Sequence, residues 1–353
     1  MAARFINVFV LVLMVRQWTV LVSAEECPYY MDILPCVCTQ DKETLEVDLN
    51  CSRVVDIEQL KQIFEAEFPS INFRELTMDG TAEDPVPLDY LPDGVFGPVT
   101  FRKVNIRYTN VQDIGDNVLL HLNSTLEELR LNDNELLSFP TADLPHFPKL
   151  LFLDISSNNL TFIADLHSLT LNSLNLGQNP GLFFTTEAFV NVPNLVDLDI
   201  GNCSLKSLQP NLFTEQWFLA TLNLQLNHIT ELDASSLNFP NNSLNEIILS
   251  GNQITTVNKG FISGTSGELY LVMMENQLQE LRQEVWQPVF QAMADDGGRG
   301  FVVLDGNPLV CGCSIGWLVA SEHLLKHLAK GAKCNNGTSI FSLDPDYYTS
   351  NCY

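Results

Sequence analysis

Basic side chains are scarce. Lysine and arginine number 18 against 43 aspartates and glutamates in 353 residues, a formal charge of −25. Nucleic acids and anionic membranes are recognised through basic patches, so this balance argues against both as partners. Histidine is scarce too, with six in all. No HExxH pair, GxSxG turn or glycine-rich phosphate loop occurs, so no catalytic constellation is legible and no cofactor is expected. Long hydrophobic runs are missing past the first residues. Nothing there approaches the roughly 20 apolar residues of a membrane helix. The tail SLDPDYYTSNCY lacks the apolar character of a lipid-anchor signal.

The chain opens MAARFINVFVLVLMVRQWTVLVSA. Arg4 precedes an apolar run from Phe5 to Val15, and Ser23 and Ala24 precede Glu25. The stretch reads as a secretory signal peptide over 1–24. A membrane anchor is the competing reading, but the run is short and Arg16 and Gln17 interrupt it. Loss of Arg4 and Arg16 with the leader takes the formal charge from −25 to −27. The acids are scattered, as on a well-solvated surface. The mature chain is expected to be secreted and extracellular, where disulfides persist.

One pattern is abundant. Leu195, Leu198, Ile200, Cys203 and Leu205 spell L-x-x-L-x-L-x-x-N/C-x-L. The same ruler fits Leu126 to Leu136, Leu150 to Leu160, Leu219 to Ile229 and Leu244 to Ile254. Leu171 to Asn179 matches until Gly181 takes the last slot. Weaker copies run through Leu271–Leu278 and Val302–Leu309, and degenerate ones through Phe73–Thr81 and Phe101–Val111. The asparagine slots fall at 81, 109, 134, 158, 179, 203, 227, 252, 276 and 307, with most steps 24 or 25. Ten registered copies define a leucine-rich repeat solenoid, an α/β fold with a curved parallel sheet on its concave face. Leucine slots alternate inward on a short strand. The asparagine amide offers donors and an acceptor to buried backbone groups where the chain turns. Cys203 stands in that inward slot, so it reads as a buried structural thiol and not as a reactive one. Phe189 and Phe213, each six residues before the next repeat's first leucine, read as core on the convex side, with Phe96, Phe147 and Phe261 nearby.

The other eight of the nine cysteines flank the repeats. Cys27, Cys36, Cys38 and Cys51 lie in front; Cys311, Cys313, Cys334 and Cys352 lie behind. Four cysteines allow three pairings, and the sequence does not choose among them. The expected domains are a leader, 1–24; an N-terminal cap, 25–70; the repeats, 71–309; and a C-terminal cap, 310–353. In the first cap, Ile57, Leu60, Phe64 and Phe68 have helical spacing behind Asp56 as N-cap. In the second, SEHLLKHLAK reads as a helix whose Leu324, Leu325 and Leu328, with Trp317, plug the solenoid. His323 and His327 on that helix raise a zinc site, which the oxidising compartment and the missing HExxH disfavour. DDGGRG, 295–300, reads as a loop in the longest step.

Function is therefore sought on the surface. The outward slot between the second and third leucine positions reads Thr77, Asn105, Arg130, Asp154, Asn175, Asp199, Asn223, Ile248, Val272, Val303. Seven polar residues precede three apolar ones, and Leu226, Tyr270, Met274 and Phe301 extend the apolar end. These seven apolar residues are the candidate partner site. The competing reading is that late repeats twist or a cap segment covers them. Sequons at Asn123, Asn159, Asn202, Asn241 and Asn336 are candidate glycan sites; a sixth, Asn50, adjoins a crosslinked cysteine. A glycan on Asn202 would crowd the middle of the concave face.

CPYYMDILPCVCTQDKETLEVDLNCS, the stretch FPSINFRELTMDG, the repeats and NPLVCGCSIGWL together resemble the crustacean family named for the non-catalytic subunit of Oplophorus-luciferin 2-monooxygenase. The resemblance spans essentially the whole mature chain, and Phe68 to Arg74 is its most specific part. It implies a secreted repeat subunit bound to a small catalytic luciferase, the other chain oxidising coelenterazine with oxygen. Likeness to extracellular repeat caps implies Cys27–Cys38, Cys36–Cys51, Cys311–Cys334 and Cys313–Cys352. A general extracellular recognition protein, for immunity, adhesion or matrix signalling, is the alternative. Self-association through the same patch is a third.

Overall fold

The computed structural model describes residues 26–240, 244–295 and 297–352. The proposed leader, 1–24, and the Asn241 sequon lie outside the described residues. Twelve strands form one sheet. The N-terminal cap supplies β1 (Val37–Gln40) and β2 (Val47–Asn50), which pair antiparallel. From β2 onward every pairing is parallel. The ten repeats give β3 (Asn72–Asp79), β4 (Thr100–Arg107), β5 (Glu128–Arg130), β6 (Phe152–Asp154), β7 (Ser173–Asn175), β8 (Asp197–Asp199), β9 (Thr221–Asn223), β10 (Glu246–Ile248), β11 (Tyr270–Val272) and β12 (Phe301–Val303). The fold is a leucine-rich repeat solenoid with disulfides near both ends. Its sheet is two strands longer than the repeats alone provide.

The inward leucines of successive strands align in register, as Leu198↔Leu222↔Ile247↔Leu271 shows. All four are essentially inaccessible to water. No single turn could bury that face, so stacking creates the core. Phenylalanines stack behind it: Phe189 on Phe213 at 6.2 Å, and Phe213 on Phe239 at 5.7 Å.

The asparagine ladder stitches each turn to the one before. Asn227 Nδ2 donates to the carbonyls of Ile200 (2.9 Å) and Leu224 (3.0 Å), and its Oδ1 accepts from the amides of Cys203 (2.9 Å) and Leu205 (3.0 Å). Asn158, Asn252, Asn276 and Asn307 repeat the pattern. The residue before each slot must then turn through the left-handed region. From Tyr108 to Gly306, nine consecutive repeats have φ between +47° and +77° there, only two of them at glycine. The side-chain bonds hold a conformation that other residues rarely adopt.

Cys203 is fully buried and bonded to no other cysteine. Its Sγ lies 3.4 Å from the carbonyls of Leu176 and Gly201, where an asparagine would donate. It has no side-chain oxygen to accept with. The Gly181 amide, counterpart of the Leu160 amide that bonds Asn179 Oδ1, turns instead to the Cys203 carbonyl at 3.3 Å. Burial pushes the thiol pKa up to about 11. The folded chain should therefore show no reaction with an aromatic disulfide reagent at pH 8, and one thiol should appear in denaturant. Labelling of the native chain at a free-cysteine rate would contradict the packing. Because the folded pKa is raised, this group's contribution to stability is full below about pH 9 and declines as pH rises toward 11.

Both ends are closed. Asp56 caps α1 (Ile57–Phe64) by accepting from the Gln59 amide at 2.7 Å. Phe64 packs on Phe96 and Phe101 at 5.5 and 6.2 Å. Disulfides join Cys27 to Cys38, Cys36 to Cys51, Cys311 to Cys334 and Cys313 to Cys352. The longest step holds a helix, α2 (Gln283–Asp295), before the glycine-rich turn. Its Trp286 packs on Phe261 at 5.5 Å, and its Phe290 on Trp317 at 5.8 Å. Three short helices follow: α3 (Gly316–Val319), α4 (Glu322–Leu325) and α5 (Pro345–Asn351). The expected helix over SEHLLKHLAK is thus only one turn. Beyond it the chain pairs with the open edge of β12: the Val302 amide donates to His327 O at 2.8 Å, and the Ala329 amide to Val302 O at 2.9 Å. An unpaired strand edge recruits the next available backbone.

Candidate functional site: the apolar end of the concave face

The outward column is continuous across the sheet, and its polar middle, from Asp154 to Asn223, is occupied with itself. Asp154, Asn175, Asp199 and Asn223 each accept from the amide two residues on, at 2.8–3.1 Å. Asn223 also donates to Asp199 at 2.9 Å. At the front, Arg74 pairs with Asp48, Arg102 with Glu46, and Arg107 with Asp79. Lys103 and Arg130 both reach Glu128. Burial raises the Glu128 pKa, but these two cations outweigh it and hold the carboxyl below the usual range. The Arg130 guanidinium lies 4.2 Å from the centre of the Phe152 ring. Among the described residues every ion pair lies between residues 46 and 130.

The back differs. Asn223 is followed in register by Ile248, Val272 and Val303, all half-buried. One slot earlier on each strand, Tyr270 faces Phe301 with ring centres 6.0 Å apart. Tyr270 is 42 % exposed and Met274 36 %. Leu226 is 54 % exposed, occupies one of the left-handed turns, and lies across Gly251, where an added Cβ would come within 2.7 Å of its Cδ2. So Ile248, Val272, Val303, Tyr270 and Phe301 form one surface, with Leu226 in the turn row beside it and Met274 one residue before the turn-row Glu275.

The C-terminal cap flanks this surface without covering it. Tyr270, Phe301 and Val303 floor a groove of about 680 Å³ whose wall is Leu325, Ala329 and Phe341. Glu322, Lys326 and Lys330 also line it, and all three are exposed. Sequence reasoning missed this wall. It assigned Leu325 to the plug, whereas Leu325 is half-buried and turned to the groove; Leu324, Leu328 and Trp317 are the buried ones. Phe341 had no periodic partner to betray it. The two histidines do not converge. His323 Nδ1 lies 3.0 Å from Ser321 Oγ, and buried His327 directs Nδ1 to the Gly300 carbonyl at 2.9 Å.

Of the sequons, Asn159, Asn202 and Asn336 are exposed and Asn123 is half-buried. Asn202 sits in the turn row one repeat before Leu226, at φ +52°. A glycan there would border the apolar surface on its N-terminal side. Asn50, beside crosslinked Cys51, is exposed but its Oδ1 accepts from the Ser52 amide at 3.0 Å.

No protein-family model matches the chain. Two solved structures share its fold. The repeat domain in an octameric complex of Latrophilin 3, Unc5D and FLRT2 superposes with TM-score 0.67 at 18% identity, over 93% of this chain and 100% of that one. The Toll–Spatzle complex of Drosophila gives 0.58 at 20%, over 81% of this chain but only 43% of that one. The Oplophorus-luciferin 2-monooxygenase non-catalytic subunit of Oplophorus gracilirostris is 30% identical over 333 residues, 94% of this chain and 89% of its own. With the repeats, caps and apolar concave end in place over that whole span, the chain belongs to the family of that non-catalytic subunit.

Proposed function

We propose that this protein is a secreted, non-catalytic repeat subunit that holds a small luciferase-like chain at the C-terminal end of its concave face. The observation that carries the reading is the register-aligned apolar surface of Ile248, Val272, Val303, Tyr270 and Phe301, which none of the described residues covers. Its relative is called a subunit, which supports a second chain. Four disulfides support an oxidising destination, and no described helix is long and apolar enough to cross a membrane. Each side chain buried by the partner contributes about 1.5–3 kcal/mol before association costs. The polar, self-bonded middle of the face contributes little by comparison.

Affinity capture from the source animal's secreted fluid tests this. The tagged mature chain should retain one small luciferase-like protein, and the captured pair should emit light with Oplophorus luciferin while the chain alone stays dark. Val272→Asp places an uncompensated charge in the surface and should weaken capture by roughly 100-fold. Capture of glycans or receptors with no luciferase-like chain would favour general recognition. Undiminished capture by Val272→Asp would put the site elsewhere.

A further inference from the structure

The groove between the last strands and the C-terminal cap carries a charge signature of its own. This chain is short of cations, and six of the eight described up to Arg130 (Lys61, Arg74, Arg102, Lys103, Arg107 and Arg130) are engaged in internal pairs. Eight basic residues follow Arg130, and three of them, Lys326, Lys330 and Lys333, fall within eight positions of the cap. Lys326 and Lys330 both line the groove, are exposed, and have no carboxylate within ion-pair distance among the described residues. The floor beneath them is Tyr270, Phe301 and Val303. Glu322 lines the same wall, the Asp305 carboxylate lies against Gly331 next to Lys330 without pairing with it, and Glu246 is the register neighbour of Tyr270 on the opposite side. The cationic character is therefore confined to the cap wall at Lys326 and Lys330.

We propose that this groove is the specificity-determining part of the partner site, and that it takes a protein segment in which a large apolar side chain is flanked by carboxylates. The anchor fills the aromatic floor, and the carboxylates meet Lys326 and Lys330. The acidic body of the chain repels an acidic partner at a distance, so an acidic segment gains only where it reaches these two lysines. A basic flank would meet them as like charges. The inference rests on the reading of this end as a docking surface, but it is tested without the native partner.

A displayed random-peptide library is selected on the purified full-length mature chain, and on Lys326→Glu/Lys330→Glu. Both lysines are exposed and unpaired among the described residues, so the variant is expected to fold, checked by an unchanged urea midpoint. The wild type should enrich peptides with an aromatic or leucine anchor beside aspartate or glutamate. The variant should enrich the same anchors beside lysine or arginine. A peptide selected on the wild type should bind the double variant roughly tenfold more weakly, with a gap that narrows as salt is raised. Phe301→Asp should lose both sets. The proposal is overturned if the two selections show the same flanking charges, or if neither enriches peptides over Phe301→Asp. It is also overturned if the chain forms a dimer that Phe301→Asp dissociates, which would make a second copy the occupant. Because no luciferase is involved, these outcomes are independent of whether the captured partner emits light.

Discussion

Asn227→Ala is expected to lower the free energy of unfolding by about 3–5 kcal/mol, read as a drop in the urea midpoint. The amide is almost wholly buried and makes two donor and two acceptor bonds within 3.0 Å. Its removal strands the carbonyl of Ile200 and the amides of Cys203 and Leu205 away from water, and leaves the Leu224 carbonyl to Asn252 Nδ2 alone, at 3.0 Å. Each stranded group costs about 1–3 kcal/mol, reduced where the backbone can relax. Asn227→Asp is the sharper test. It preserves volume, so no cavity opens, yet it aims an oxygen at carbonyls that need a donor. It should cost at least as much as Asn227→Ala. Cys203→Ala removes only two 3.4 Å sulfur contacts and should cost about 1–2 kcal/mol, mostly from the cavity. A solenoid couples only neighbouring turns, so the damage stays local. The urea transition of Asn227→Ala should broaden as the two halves lose cooperation. Equal losses at Asn227 and Cys203 would mean that the slot is filled for volume and not for its hydrogen bonds.

The ladder also explains how much could be read in advance. Leu195 to Leu205 supplies spacing, burial and turn position at once, because every slot has a distinct physical demand. All ten repeat strands fall where that ruler puts them. The ruler is silent wherever a segment answers to something other than its own repeat. Helix α2 buries Val285, Trp286, Val289, Phe290 and Met293, a helical spacing present in the letters but hidden by Pro288 and by the length of the step. Strands β1 and β2 lie among closely spaced cysteines, where the crosslinks dominate the reading. The stretch 327–329 leaves its helix because β12 presents an open edge, and no local propensity encodes that edge. The candidate site divides the same way. Ile248, Val272 and Val303 follow from period two, whereas Phe341 and Ala329 reach the groove only because the chain returns to it.

That return depends on a crosslink, and breaking it should separate binding from folding. Cys311→Ser/Cys334→Ser removes a disulfide that closes a loop of separation 23, worth about 3–4 kcal/mol on the loop-entropy account. Cys334 sits beside Leu309, and the Asn335 amide bonds the Leu309 carbonyl at 2.7 Å. These contacts anchor the middle of the segment that carries Ala329, Lys330 and Phe341. Cys313–Cys352 would still hold α5, whose Tyr348 donates to the Cys311 carbonyl at 2.9 Å, so the core of the cap should survive. The variant should remain folded at room temperature, unfold at a lower urea concentration, and bind groove-selected peptides roughly tenfold or more weakly as the wall loosens. Cys27→Ser/Cys38→Ser is the matched control. Its loop has separation 11, its loss costs about 3 kcal/mol, and it lies at the other end of the sheet. Peptide binding by that variant should be unchanged. If both variants lost binding equally, the groove would be responding to global stability. If neither did, the cap wall would have no part in recognition and the strand residues alone would make the site.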